Sequence, residues 1–119
     1  MIPSFLLAKL YVKDSLKNTA SGFEFMLKNN LDSTMLIGIG PIGLGDKTYV
    51  GESVNITVGD KTINAAELSR QTSVPVRVGT LIKVSVAGEK LTPGLQKVNV
   101  TATSSDIGQI KFDINDALS

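Results

Sequence analysis

Lys97-Val98-Asn99-Val100-Thr101-Ala102-Thr103, a polar break at Ser104-Ser105-Asp106-Ile107-Gly108, then Ile110-Lys111-Phe112-Asp113-Ile114-Asn115: this stretch decides the fold. Val98, Val100 and Ala102 alternate with polar residues, and so do Ile110, Phe112 and Ile114. A period of two puts all apolar side chains of a strand on one face. Ser104-Ser105-Asp106 and Gly108 supply the turn chemistry that separates the two strands. The stretch therefore predicts two half-buried strands in succession.

The same pattern repeats outward along the chain. Phe23, Phe25 and Leu27 share one face, opposite Glu24 and Lys28. Met26 falls on that mostly polar face, so the face should be partly covered. Val54, Ile56 and Val58 alternate with Asn55 and Thr57, and Ile82, Val84 and Val86 with Lys83 and Ser85. Gly45-Asp46-Lys47, Gly59-Asp60-Lys61 and Thr92-Pro93-Gly94 carry turn residues. Leu6 to Val12 reads either as a further strand or as an amphipathic helical turn, with Lys9 and Lys13 four apart. Ala65-Ala66-Glu67-Leu68-Ser69 alone leans helical, for a turn or two at most. No long helical period exists to close parallel βαβ units. Pro75 lacks a ladder donor and belongs at a strand edge or crossover. The sum is one domain over residues 1–119, an all-β, two-sheet antiparallel β-sandwich of about seven to nine strands, with a closed barrel as the second choice.

Composition narrows the chemistry. The chain of 119 residues contains no histidine and no cysteine, so the usual acid-base side chain, the thiol nucleophile and the soft metal ligands are missing. Chemistry by this chain alone would rest on carboxylates, lysines, tyrosines and hydroxyls. A net charge of +1 gives no broad field to draw in nucleic acid or an acidic membrane. Two tyrosines and four phenylalanines are too few for an evident base-stacking platform. The apolar opening, Met1 to Ala8, lacks a basic region before it and is soon interrupted by Lys9 and Lys13, which argues against a secretory leader. No apolar run approaches bilayer-spanning length. A cytoplasmic protein is expected, and the sequons at Asn55 and Asn99 read as chance occurrences in Thr-rich strands.

Three constellations bear on function. Ile37-Gly38-Ile39-Gly40-Pro41-Ile42-Gly43-Leu44-Gly45 is rich in glycine. A phosphate cradle would need a Gly-Lys-Ser/Thr ending and a following helix, and neither is present. The segment reads instead as a strand with a bend at Pro41, whose bare glycines let another backbone or a partner protein approach closely. The acidic residues fall mostly in turns or on polar strand faces. Asp113 and Asp116 could hold a weak cation, without the regular loop of a calcium site. The block from Lys9 to Thr19 concentrates Tyr11, Lys13, Lys17 and Asn18. It reads either as a solvated basic strand face or as a partner-facing patch with Tyr11 as its anchor. The candidate interface is thus Tyr11, Lys13, Lys17, Asn18, Gly38, Gly40, Pro41 and Gly43. No position is assigned as catalytic, cofactor-binding or metal-binding.

The block Leu6-Leu7-x-Lys9-Leu10-Tyr11-Val12-Lys13-x-Ser15-Leu16-Lys17-Asn18-Thr19-x-x-Gly22-Phe23-x-Phe25-x-Leu27-Lys28-Asn29-x-Leu31 resembles the opening of the small beta subunit of C-glycoside deglycosidases. Gly38-Ile39-Gly40-Pro41, Pro75-Val76-x-Val78-Gly79, Leu91-x-Pro93-Gly94 and Gly108-x-Ile110-x-Phe112-x-Ile114-x-Asp116 follow in the same order. That resemblance implies an accessory β-sandwich subunit of a C–C lyase, acting on 3-keto sugars joined to flavonoid-type aglycones. It implies a hetero-oligomer with a larger TIM-barrel-like alpha subunit. That partner would hold a divalent metal, manganese, and the acid-base residues, leaving this chain inactive alone and without a cofactor. The rivals are a carbohydrate- or protein-binding β-sandwich module, an independent carboxylate enzyme, and an assembly domain that pairs edge strands with itself.

Overall fold

The computed structural model describes residues 4–118. A short helix, α1 (Ser4–Ala8), precedes ten strands: β1 (Lys17–Asn18), β2 (Gly22–Lys28), β3 (Thr34–Leu44), β4 (Lys47–Tyr49), β5 (Val54–Val58), β6 (Lys61–Asn64), β7 (Val74–Val76), β8 (Leu81–Ala87), β9 (Gly94–Ser104) and β10 (Gly108–Leu118). Two 3₁₀ turns, Gly51–Ser53 and Ala65–Glu67, are the other helical pieces described. The second is the segment expected to lean helical. The side chain of Asn64 caps it by accepting from the Ala66 amide.

The strands form two antiparallel sheets, an all-β sandwich. One has the order β1-β2-β8-β5-β6, the other β10-β9-β3-β4, with β7 added against β3. The strand count exceeds the expected seven to nine because β1, β4 and β7 are only two or three residues long. Alternation alone does not reveal pieces that short. The hairpin signalled by residues 97–115 is β9–β10, paired continuously from Gly108 with Ser104 to Leu118 with Gly94.

The alternating residues fill the space between the sheets. Phe23, Phe25, Val54, Ile56, Val84 and Val86 face inward from one sheet, and Ile42, Val98, Val100, Phe112 and Ile114 from the other. Full burial of side chains of this size contributes roughly 1.5–3 kcal/mol each. Met26 is half-buried on the outer face, consistent with the partial cover expected there. Pro75 sits opposite Met35 in β7, a three-residue strand off the main path of its sheet. The bend expected at Pro41 is a break in register, with β3 shifting against β9 between Ile39 and Ile42. Gly40 takes φ +105 there, a backbone conformation that side chains disfavour.

The open side between β2 and β10 is closed by the N-terminal segment. α1 packs on β10, and Leu7, Leu10 and Leu16 enter the core. Residues 10–18 then run beside β2 as an irregular edge. Lys28 donates its amide to the Leu10 carbonyl (2.7 Å), Val12 to the Met26 carbonyl (3.0 Å), and Met26 to Ser15 Oγ (2.9 Å). Both readings of Leu6 to Val12 thus hold in part: a helical turn first, then an extended edge.

Candidate functional site

Tyr11 lies where the strap from the N-terminus meets the end of the last strand. Its hydroxyl donates to Asp116 Oδ2 at 2.6 Å and accepts from the Leu16 amide at 3.0 Å. Asp116 Oδ2 also accepts from the Asp14 amide at 2.8 Å, and its Oδ1 from Ala117 at 2.8 Å. Asp14 reaches this position with φ 67, in the left-handed region that Asp tolerates better than most residues. Burial, then the Asp116 carboxylate, hold the Tyr11 hydroxyl above its ordinary pKa. The Tyr11 hydroxyl, followed by the backbone amide of Asp14, holds Asp116 below the usual carboxylate range. The cluster is a latch between residues 105 positions apart.

The other interface candidates divide into two groups. Lys13 and Lys17 are exposed, and Lys17 makes a loose ion pair with Glu24 at 3.8 Å. Asn18 grips the loop before β9 at two points: its Nδ2 donates to the Leu91 carbonyl (3.0 Å), and its Oδ1 accepts from the Leu91 amide (2.7 Å). Gly38, Gly40, Pro41 and Gly43 all lie in β3, with β9 and β10 between them and the Tyr11 latch. Gly38 faces Thr103, Gly43 faces Asn99, and Pro41 is exposed. The segment is extended strand with a bulge and runs into β4, so no helix N-terminus stands ready for a phosphate.

Asp113 and Asp116 do not combine into a cation site. Asp113 Oδ1 accepts from Asn99 Nδ2 and its Oδ2 lies 3.7 Å from Lys97 Nζ, while Asp116 serves the latch. Among the described residues no group of three or more acids, histidines or cysteines could hold a metal ion.

Three concavities stand out among the described residues. An apolar cavity of about 60 Å³ lies between the sheets, walled by Leu10, Leu27, Ile39, Ile82, Ala102 and Phe112. An open hollow of about 520 Å³ crosses the outer face of β9 and β10, with Thr101, Lys111 and Asn115 on its floor. A shallow groove of about 390 Å³ separates the β3–β4 turn from the loop at 89–92, where Lys47 pairs with Glu89. Sequence reasoning missed the cavity and the latch alike, since neither leaves a local motif. It also missed Asn29, buried in the loop after β2. Its Nδ2 donates to the carbonyls of Asp32 and Val76, and its Oδ1 accepts from the Leu31 amide. A polar residue at the end of an alternating strand was the only signal for it.

The class is therefore a small antiparallel β-sandwich domain whose N-terminal strap is latched to its last strand. A family model described as the N-terminal domain of hydroxymethylglutaryl-CoA reductase matches residues 6–119. The chain belongs to that family, which is an enzyme family. No curated protein matches the chain. The match overturns the resemblance to C-glycoside deglycosidase beta subunits. The lyase assignment, the flavonoid C-glycoside substrate and manganese fall with it. The physical reason is that much of what carried the resemblance is strand alternation and turn chemistry. Phe23-x-Phe25-x-Leu27, Pro93-Gly94 and Ile110-x-Phe112-x-Ile114 are what any small sandwich requires. Among the described residues no helix is long and apolar enough to cross a membrane.

Proposed function

We propose that this chain is a non-catalytic domain of a hydroxymethylglutaryl-CoA reductase, inactive alone, that braces the part of the enzyme where the thioester is reduced. The observation that carries this is the family match along residues 6–119, to a model described as a domain of that enzyme. Reduction of a thioester needs a hydrogen-bond donor at the developing oxyanion and a proton source for the leaving thiolate. Three groups of the kind such chemistry uses are engaged within the chain itself: Tyr11 with Asp116, Asp113 with Asn99, and Glu89 with Lys47. A rigid sandwich suits a positioning task, in which geometry held from outside the reacting centre lowers the barrier.

The partner in this proposal is the catalytic portion of the reductase, whatever its fold. Lys13, Lys17 and Pro41 are exposed and available to it, whereas Tyr11 and Asn18 already hold the chain's own elements together. We place the complex in the cytoplasm, where a chain without cysteine has nothing to lose to reducing conditions.

Reduction of hydroxymethylglutaryl-CoA should be assayed with this chain alone, with the catalytic portion alone, and with both. The expected result is no turnover by the chain alone, and a faster or longer-lived reaction when both are present. Turnover by the isolated chain, or an unchanged rate and half-life on mixing, would remove the proposal.

A further inference from the structure

We propose that the cavity between the two sheets is a binding site for a small aliphatic group. This is independent of the role proposed above. The cavity measures about 60 Å³, several times the minimum space that one water requires. Its walls come from both sheets: Leu27 and Ile82 on one side, Ile39, Ala102, Ile110 and Phe112 on the other, with Leu10 of the strap closing it. It approaches the surface where Leu31, Ile107 and Ile110 are half-buried.

The chemistry of the occupant follows from the polar groups around it. Three of the polar side chains in the lining are already committed. Asn29 makes three hydrogen bonds to backbone, Thr34 Oγ1 donates to Asp106, and Ser104 Oγ accepts from the Ile107 amide. Among the described residues no buried side-chain nitrogen or oxygen lacks a partner. Water in such a space would find little to bond to, and apolar cavities of this kind stay dry and admit hydrocarbon or xenon. The volume suits a few carbon atoms. The occupant is thus a small free apolar molecule or the end of a longer aliphatic chain whose polar head stays outside.

The test is a methyl NMR titration of the chain with xenon, followed by octanoate. Saturable shifts confined to Leu27, Ile39, Ile82 and Ile110, lost in Ala102→Val, support the site. Should Ala102→Val fail to fold, Ile110→Phe at the rim is to abolish the same shifts. Displacement of xenon by octanoate assigns the site to chain ends, and xenon binding that octanoate leaves intact assigns it to small free molecules. Shifts that do not saturate, that spread over surface methyls, or that persist in both variants overturn the proposal.

Discussion

At the scale of single residues, the Tyr11–Asp116 pair holds more of the molecule than its size suggests. One hydroxyl joins the strap to β10 and also receives the Leu16 amide. Hydrogen bonds to a charged partner contribute about 1.5–3 kcal/mol when dry, and less where solvent reaches the carboxylate as it does here. Tyr11→Phe should therefore lower stability by roughly 1 kcal/mol at neutral pH. The pH dependence follows from the two shifts. Asp116 titrates lower in the folded chain than in the unfolded one, so its contribution is present above the unfolded carboxylate pKa and is lost as pH falls through the folded value. Tyr11 titrates higher when folded, so its contribution is present below the unfolded tyrosine pKa and is lost as pH rises through the folded value. The gap between wild type and Tyr11→Phe should be widest across the neutral range and close at both ends. Denaturant melts over the full pH range would measure it, and a gap independent of pH would detach the latch from these two groups.

At the scale of elements, Gly22 at the start of β2 and Gly88 just after β8 both lack room for a Cβ, but against neighbours of different stiffness. A Cβ on Gly22 would fall inside contact distance of the Val86 carbonyl oxygen, a backbone atom of the neighbouring strand. A Cβ on Gly88 would meet the ring of Tyr49, which can turn aside, although the ring also packs edge-on against Phe23 at 6.0 Å. Gly22→Ala should cost several kcal/mol, about 3 or more, and Gly88→Ala roughly 1–2. Equal melting temperatures for the two variants would contradict the distinction. β2, β5, β8, β9 and β10 were legible because each buries one face of a period-two pattern, and the turns at Gly45 and Gly59 because glycine and aspartate punctuate them. β1, β4 and β7 were not, because two or three residues carry no period. The strap was ambiguous for a related reason: its backbone is satisfied by Ser15 Oγ and by single bonds to β2, not by a ladder. Of the candidate interface residues, Lys13 and Lys17 were legible as exposed side chains. The engagement of Tyr11 was not, since its partner lies 105 residues away.

At the scale of the whole molecule, the sandwich closes only when its first residues meet its last strand, and the cavity lies beside that closure. Leu10 is a wall of the cavity and a buried residue of the strap, so its loss should act on both. Leu10→Ala should cost about 2–5 kcal/mol, the range for truncating a buried leucine, and raise hydrogen exchange along residues 10–18 before the rest of the chain. Exchange that rises uniformly instead would mean that the strap and the sheets open as one unit. Ala102→Val probes the same space from the opposite side. At roughly 24 cal/mol per Å³, leaving about 60 Å³ unfilled forfeits about 1.4 kcal/mol. Two added methyl carbons that settle into the void should recover part of this, and the variant should melt higher than wild type. Two methyl carbons that find no room would strain β9 against β3 and lower the melt, since overfilling a packed core costs roughly 1–3 kcal/mol. The sign of the change thus decides whether the two sheets enclose usable space or are already packed tightly around Ala102, and differential scanning calorimetry of this one variant reads it.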